Sequence, residues 1–361
     1  MIGQKNTRRG GRIMHKKVDN TKDLKRKKMQ VSALAIVGVL LFTSSVSIQS
    51  ADAFWPFSKK HKDGKDRKRK PREINGSSVG LVPGNPPATV WKPDGTPRAA
   101  VLCLHELGLH KNVFDDFGTR MAKKGVIVYS IDLRGFGGWT EQKTKDAEMD
   151  LDNTFGDVKS SLEVIHKLHD KTPVFILGEA MGGALALEIA AKFPQLTAGI
   201  ITAAPGGQHY KTVSNYMNIG SKVLTLNAGK DSHMSEDLME VATPKEALQE
   251  AFMDDDQVRL DLKPKELMAC QFYMYKTKKF AKQIKDVPVL VVHGKLDGES
   301  KEVGSTDVYK NLKTAKKKYV LLENGDHYTF EDVKVSDEAF NNALSWIDSN
   351  VPASATKESA Q

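Results

Sequence analysis

The pentad Gly178-Glu179-Ala180-Met181-Gly182 lies between an apolar run, Pro173 to Leu177, and the small-residue stretch Gly183-Ala184-Leu185-Ala186-Leu187-Glu188-Ile189-Ala190-Ala191. A strand-to-helix turn of the form Gly-x-Ser-x-Gly presents its central hydroxyl for attack on a carbonyl. Here the centre is alanine. A methyl group forms no acyl intermediate, so the turn keeps its glycines and lacks its nucleophile. Four more polar motifs each follow an apolar run: His105-Glu106-Leu107-Gly108, Asp132-Leu133-Arg134-Gly135-Phe136-Gly137, His293-Gly294-Lys295-Leu296-Asp297 and Gly325-Asp326-His327. Histidines and carboxylates at strand ends are the material of general acid–base chemistry.

These motifs need a scaffold of strands and helices in alternation. From Ala88 onward, short β-branched runs alternate with amphipathic segments, which predicts a mainly parallel sheet flanked by helices. Strands are expected at Ala99 to Leu104, Val126 to Ile131, Pro173 to Leu177, Ile200 to Ala203, Val289 to Val292 and Tyr319 to Leu322. Val113 to Lys124 reads as a helix with Phe114, Phe117 and Met121 on one face and Gly125 as its stop. Phe155, Val158, Leu162, Ile165 and Leu168 recur at helical spacing, and Phe340, Ala343, Leu344 and Ile347 mark a closing helix. About 205–285 breaks the rhythm, being too long for a βα connection. It predicts an inserted cap, in which Met217, Leu238, Met239, Leu248, Phe252, Leu267, Met268, Phe272 and Met274 form the cap's own core or line its underside, and Val223-Leu224-Thr225-Leu226 a short strand.

In this order, each after its own strand, the five motifs resemble those of the α/β-hydrolases, most closely the monoacylglycerol lipase, lysophospholipase and serine-aminopeptidase-like group, over about Ala88 to Ile347. The resemblance implies an α/β-hydrolase fold with Ala180 at the nucleophile position, Asp297 as the acid and His327 as the general base. It puts the oxyanion hole at the backbone N–H groups of Leu107 and Met181, which do not depend on the serine, and His105 and Glu106 on the adjoining pocket loop. It implies neither cofactor nor metal. Two positions depart from the pattern. Removing a catalytic serine costs about 10⁶ in kcat. Glu106 stands where lipases commonly have glycine; dienelactone-hydrolase-like proteins carry His-Glu at this place, so Glu106 alone does not mark a loss of activity, but a carboxylate there disfavours an anionic intermediate unless it is turned away or protonated.

Other candidates are weaker. His105, Glu106 and His110 approach a zinc-binding His-Glu-x-x-His, but the spacing is one residue too long and the setting is a loop. Asp231 and His233 mimic an acid loop but fall in the cap, and Gly135 and Gly137 read as turn glycines. Cys103 and Cys270 give no disulfide framework, and Cys103 is expected to be a buried small hydrophobe.

The net charge of +9 over 361 residues is concentrated near the N-terminus. Residues 1–28 are dense in Lys and Arg, and 54–75 carry Lys59-Lys60-His61-Lys62 and Arg67-Lys68-Arg69-Lys70. Beyond these the chain is mildly acidic, so a nucleic-acid groove on the domain is not expected. Residues 29–53 hold the apolar run Val31 to Phe42 and the small-x-small site Ala51-Asp52-Ala53. Export with cleavage after Ala53 is expected, with an uncleaved membrane anchor as the alternative. The basic stretch 54–75 reads as a disordered linker, a solvated spacer before an adhesive for an anionic membrane surface. The domain itself is expected over 76–350, with a flexible tail at 351–361.

Three functions fit. The first is a pseudo-hydrolase that binds an acyl, ester or peptide-like small molecule without an acyl-enzyme. The second is a hydrolase or lyase using the His327-Asp297 dyad or another nucleophile such as Cys270. The third is a structural envelope module.

Overall fold

The computed structural model describes residues 69–81, 86–140, 148–209, 239–259 and 262–351. The segments 1–28 and 29–53, the basic runs before Arg69, and Met217, the 223–226 run, Asp231, His233 and Leu238 in the cap lie outside them. Among the described residues no helix is long and apolar enough to cross a membrane.

Eight strands form one sheet: β1 (Ser77–Val79), β2 (Ala88–Trp91), β3 (Ala99–Leu104), β4 (Val126–Ile131), β5 (Val174–Glu179), β6 (Gly199–Ala203), β7 (Val289–Gly294) and β8 (Lys317–Leu322). Their order is β1-β2-β4-β3-β5-β6-β7-β8, with β2 antiparallel to both its neighbours, β1 and β4, and every other pair parallel. Because β3 pairs with both β4 and β5, chain progression reverses there. The loops after β3 and β5 therefore part at the crevice where open parallel sheets bind ligands.

Side-chain alternation builds a core on each face. Ala100, Leu102 and Leu104 of β3 point to one side with Val158, Leu162 and Ile165 from helix α2 (Leu151–Leu168) and Leu185 and Ile189 from α3 (Ala180–Lys192). Ala99, Val101 and Cys103 point to the other, with Phe117 and Met121 from α1 (Asp115–Ala122) and Phe340 and Ile347 from the closing helix (Asp337–Asn350). Helix α1 ends at Ala122, short of the Lys124 expected, and the chain turns at Gly125, whose φ of 76° suits glycine. Leu168 does not join the apolar face on which its spacing puts it. It is the last residue of α2 and lies exposed.

Between β6 and β7 the described residues include helices Glu246–Asp254, Pro264–Met274 and Thr277–Ala281. Leu248 and Phe252 are buried in the core, whereas Phe272 and Met268 face outward. Arg259 fastens this region: it pairs bidentately with Glu266 at 2.7 and 3.0 Å and donates to the Gly135 carbonyl at 3.2 Å. The chain is already docked at Arg69, inside the stretch read as linker. Arg69 donates to the Met253 carbonyl at 3.1 Å and to the carbonyls of Asp255 and Val258, while Lys70 bridges Asp255.

Candidate active site

The elbow is built as a hydrolase turn although its nucleophile is gone. Ala180 follows β5 directly and opens α3 with φ 40°, a left-handed conformation that L-residues avoid. The flanking glycines allow the tight fit. A Cβ at Gly178 would overlap the Gly182 backbone, and one at Gly182 would overlap the Leu104 carbonyl oxygen.

The dyad assembles from the ends of β7 and β8. His327 Nδ1 lies 2.7 Å from Asp297 Oδ2, and both residues are buried. Asp297 is braced by its own loop, its Oδ1 accepting from the backbone N–H groups of Glu299 at 2.9 Å and Ser300 at 2.7 Å. His327 Nε2, the nitrogen that takes a serine proton in an active hydrolase, lies 3.0 Å from Glu106 Oε1. Glu299 Oε2 stands 3.8 Å from the same nitrogen. The imidazole is thus held by carboxylates at both ends.

Burial alone would push the His327 pKa down, but Asp297, then Glu106 and Glu299, outweigh it and hold the imidazole well above the ordinary histidine range. A protonated imidazole is no general base. Two further buried carboxyls crowd the site. Glu179 accepts from the Thr329 N–H at 3.1 Å and from the Phe330 N–H, and burial raises its pKa to about 8. Glu331 accepts from the Glu106 N–H at 2.8 Å, and burial drives it well above the carboxylate range. Glu299 is likewise raised to about 8, chiefly by burial.

Leu107, Met181, Glu106 and Ala180 line one cavity, together with Glu299 and His209. Met239, Leu267 and Met274 of the cap line it too, so some cap residues face the ligand space while Leu248 and Phe252 serve the core. Its volume is about 70 Å³, room for a few waters. Cys270 also borders it, but burial, with Glu106 and Glu299 nearby, pushes its thiol pKa up, away from the thiolate a nucleophile requires.

His105 stands apart from the reacting groups. Its Nε2 accepts from the Leu133 N–H at 3.0 Å and its Nδ1 lies 2.6 Å from the Glu106 carbonyl, tying two strand-end loops together. Burial lowers its pKa to about 4, which keeps it neutral and able to accept. His110 pairs with Asp255 at 2.9 Å, so His105 and His110 are engaged at separate loops. Sequence reasoning missed Glu179, Glu299, Glu331 and His209. The first three carry a signal in hindsight: Glu179 is inside the elbow, Glu299 lies two residues past Asp297, and Glu331 four past His327.

Residues 95–334 match the family described as serine aminopeptidase, S33. The chain belongs to this hydrolase family. It is 29% identical to the monoglyceride lipase of Mus musculus over 115 residues, which span 32% of this chain and 37% of that protein. A putative monoglyceride lipase of Schizosaccharomyces pombe is 25% identical over 285 residues, covering 73% of this chain and 71% of its own. Among solved structures, a soluble variant of monoglyceride lipase from Saccharomyces cerevisiae, in complex with a substrate analogue, superposes with a TM-score of 0.61 at 18% identity, covering 80% of this chain and 98% of that one. The monoacylglycerol lipase of Paleococcus ferrophilus gives 0.57 at 21% identity, covering 73% and 98%. These structures share the α/β-hydrolase fold with this chain.

Proposed function

We propose that this protein is a non-covalent ligand-binding pseudo-hydrolase: it takes a small acyl or ester molecule at the hydrolase pocket and forms no acyl-enzyme. The observation that carries this reading is the pairing of His327 Nε2 with Glu106 beside an elbow whose central residue is alanine. The chain lacks the nucleophile, and the base that would activate one is held protonated by a carboxylate. The same pairing argues against the dyad acting alone on water, since a base must first be free of its proton.

The ligand class follows from the apolar lining, with Leu107, Leu109, Val258, Leu262 and Leu267 among it, and from relatives named as monoglyceride lipases. Pockets for small molecules measure roughly 300–1,000 Å³. A cavity of about 70 Å³ therefore admits an acyl chain only if the cap moves outward. Export or membrane anchoring through 29–53 belongs to the same proposal, resting on the apolar run and the small-x-small site.

The test is direct. Purified protein, with metals chelated, should hydrolyse p-nitrophenyl butyrate no faster than buffer, give no adduct with a fluorophosphonate, and bind a non-hydrolysable monoacylglycerol ether. Enzymatic turnover lost in Asp297→Asn and His327→Ala would overturn the reading, and so would failure to bind the ether.

A further inference from the structure

Four buried carboxyl groups, Glu106, Glu179, Asp297 and Glu331, and the part-buried Glu299 converge on one imidazole. Asp297 is hydrogen-bonded, Glu179 is satisfied by two backbone N–H groups, and Glu331 Oε1 by a third, its Oε2 being buried without a partner. What sets Glu106 and Glu299 apart is position. Both line the cavity and reach toward His327 Nε2, and Glu106 Oε2 is buried with no hydrogen-bond partner although the residue is only 6% exposed. An unsatisfied buried carboxylate oxygen is costly unless something supplies positive charge or a proton.

We infer that Glu106, Glu299 and His327 form a binding site for one divalent transition ion of the zinc class, which takes the place of the proton on His327 Nε2 and releases it to solvent. One ligand atom from each lies within 4.8 Å of the others. Tetrahedral zinc holds nitrogen and oxygen ligands at about 2.0–2.2 Å, which puts them roughly 3.3–3.6 Å from one another. The observed distances from His327 Nε2, 3.0 Å to Glu106 and 3.8 Å to Glu299, bracket that range.

The surroundings support the same assignment. A metal-bound histidine characteristically donates its other N–H to a carboxylate, which fixes the tautomer and strengthens the ligand. Asp297 at Nδ1 does this at 2.7 Å, and because its other oxygen holds the Glu299 backbone N–H, one aspartate positions two of the three ligands. One imidazole with two carboxylates suits Zn²⁺ or Mn²⁺ better than a thiolate-seeking or all-oxygen ion. A fourth position opens to the cavity, where Ala180 offers only a methyl group and leaves space for water or a ligand oxygen. The inference rests on these side chains and needs no ligand in the apolar pocket.

The experiment uses the full chain, stripped with chelator and titrated with Zn²⁺ alone by calorimetry, with bound metal counted by elemental analysis. The expected result is one Zn²⁺ per chain with a Kd of about 1 μM or below. Glu299→Gln and Glu106→Gln should each weaken binding at least tenfold, while His166→Gln, remote from the site, should leave it unchanged. Circular dichroism verifies that each variant is folded. Should a variant not fold, the d–d spectrum of the Co²⁺-loaded wild type decides, by showing or failing to show a low-symmetry nitrogen–oxygen donor set. Substoichiometric zinc, or an affinity that shifts less than tenfold in the folded variants, overturns the site and leaves the carboxyls sharing protons.

Discussion

Glu106 Oε1 meets His327 Nε2 at 3.0 Å, so the residue that departs from the hydrolase pattern on the loop after β3 engages the residue that would have been the base after β8. The alanine of the elbow and the carboxylate at Nε2 therefore bear on the same proton transfer. Restoring the hydroxyl alone leaves the imidazole occupied.

Ala180→Ser by itself is accordingly expected to give little esterase activity, because the new hydroxyl must compete with a carboxylate for Nε2. The double variant Ala180→Ser with Glu106→Gly should exceed the single one by about 10² or more in kcat/KM, the usual worth of a working general base. Steady-state assays on p-nitrophenyl butyrate check this, and equal rates in the two variants would refute it.

Stability should fall as pH rises across the buried carboxyl cluster. Burial raises Glu179 from 4.5 to about 8, so between these values the folded state holds a proton that the unfolded chain has released. The slope of stability with pH is then negative throughout that window. His327, raised above 6.5, adds a decline of the same sign that begins near 6.5. Urea unfolding at pH 5, 6.5 and 8 with metals chelated should show the decline, and Glu179→Gln should flatten it.

Cys270 borders the cavity yet should behave as an inert thiol. With burial and two carboxylates opposing the thiolate, iodoacetamide at pH 8 should modify it in the native protein at least about 100-fold more slowly than in urea. Mass spectrometry of the peptide reads the rate. Rapid native alkylation would return Cys270 to candidacy as a nucleophile.

Gly182→Ala tests the packing that holds the elbow. Its Cβ would overlap the Leu104 carbonyl oxygen, a backbone atom with no rotamer by which to move aside. A loss of about 1–3 kcal/mol is expected, typical of forced overpacking, measurable as a lowered urea midpoint.

The sheet and the elements around the elbow were legible because each motif sits at the end of a β-branched run, where strand period and turn glycines agree. Asp297 and His327 were legible for the same reason. Their neighbours were not. Glu299 and Glu331 carry no periodic signal, and only the fold brings the loops after β7 and β8 against the loop after β3. Glu106 was visible as a departure, but its contact with a residue 221 positions away was not. In the cap, hydrophobicity could not separate Leu248, which is core, from Phe272, which faces outward, since packing against the sheet decides between them.

Alanine at φ 40° keeps a conformation for which it has no chemical use. Glycine would hold it with less strain, by about 1 kcal/mol. The turn persists because the end of β5 and the start of α3 are locked by their neighbours, whatever residue 180 contributes. Position 180 is thus an open socket: the backbone strain of a catalytic elbow is already carried by the scaffold, and a serine, cysteine or aspartate installed there inherits a formed turn.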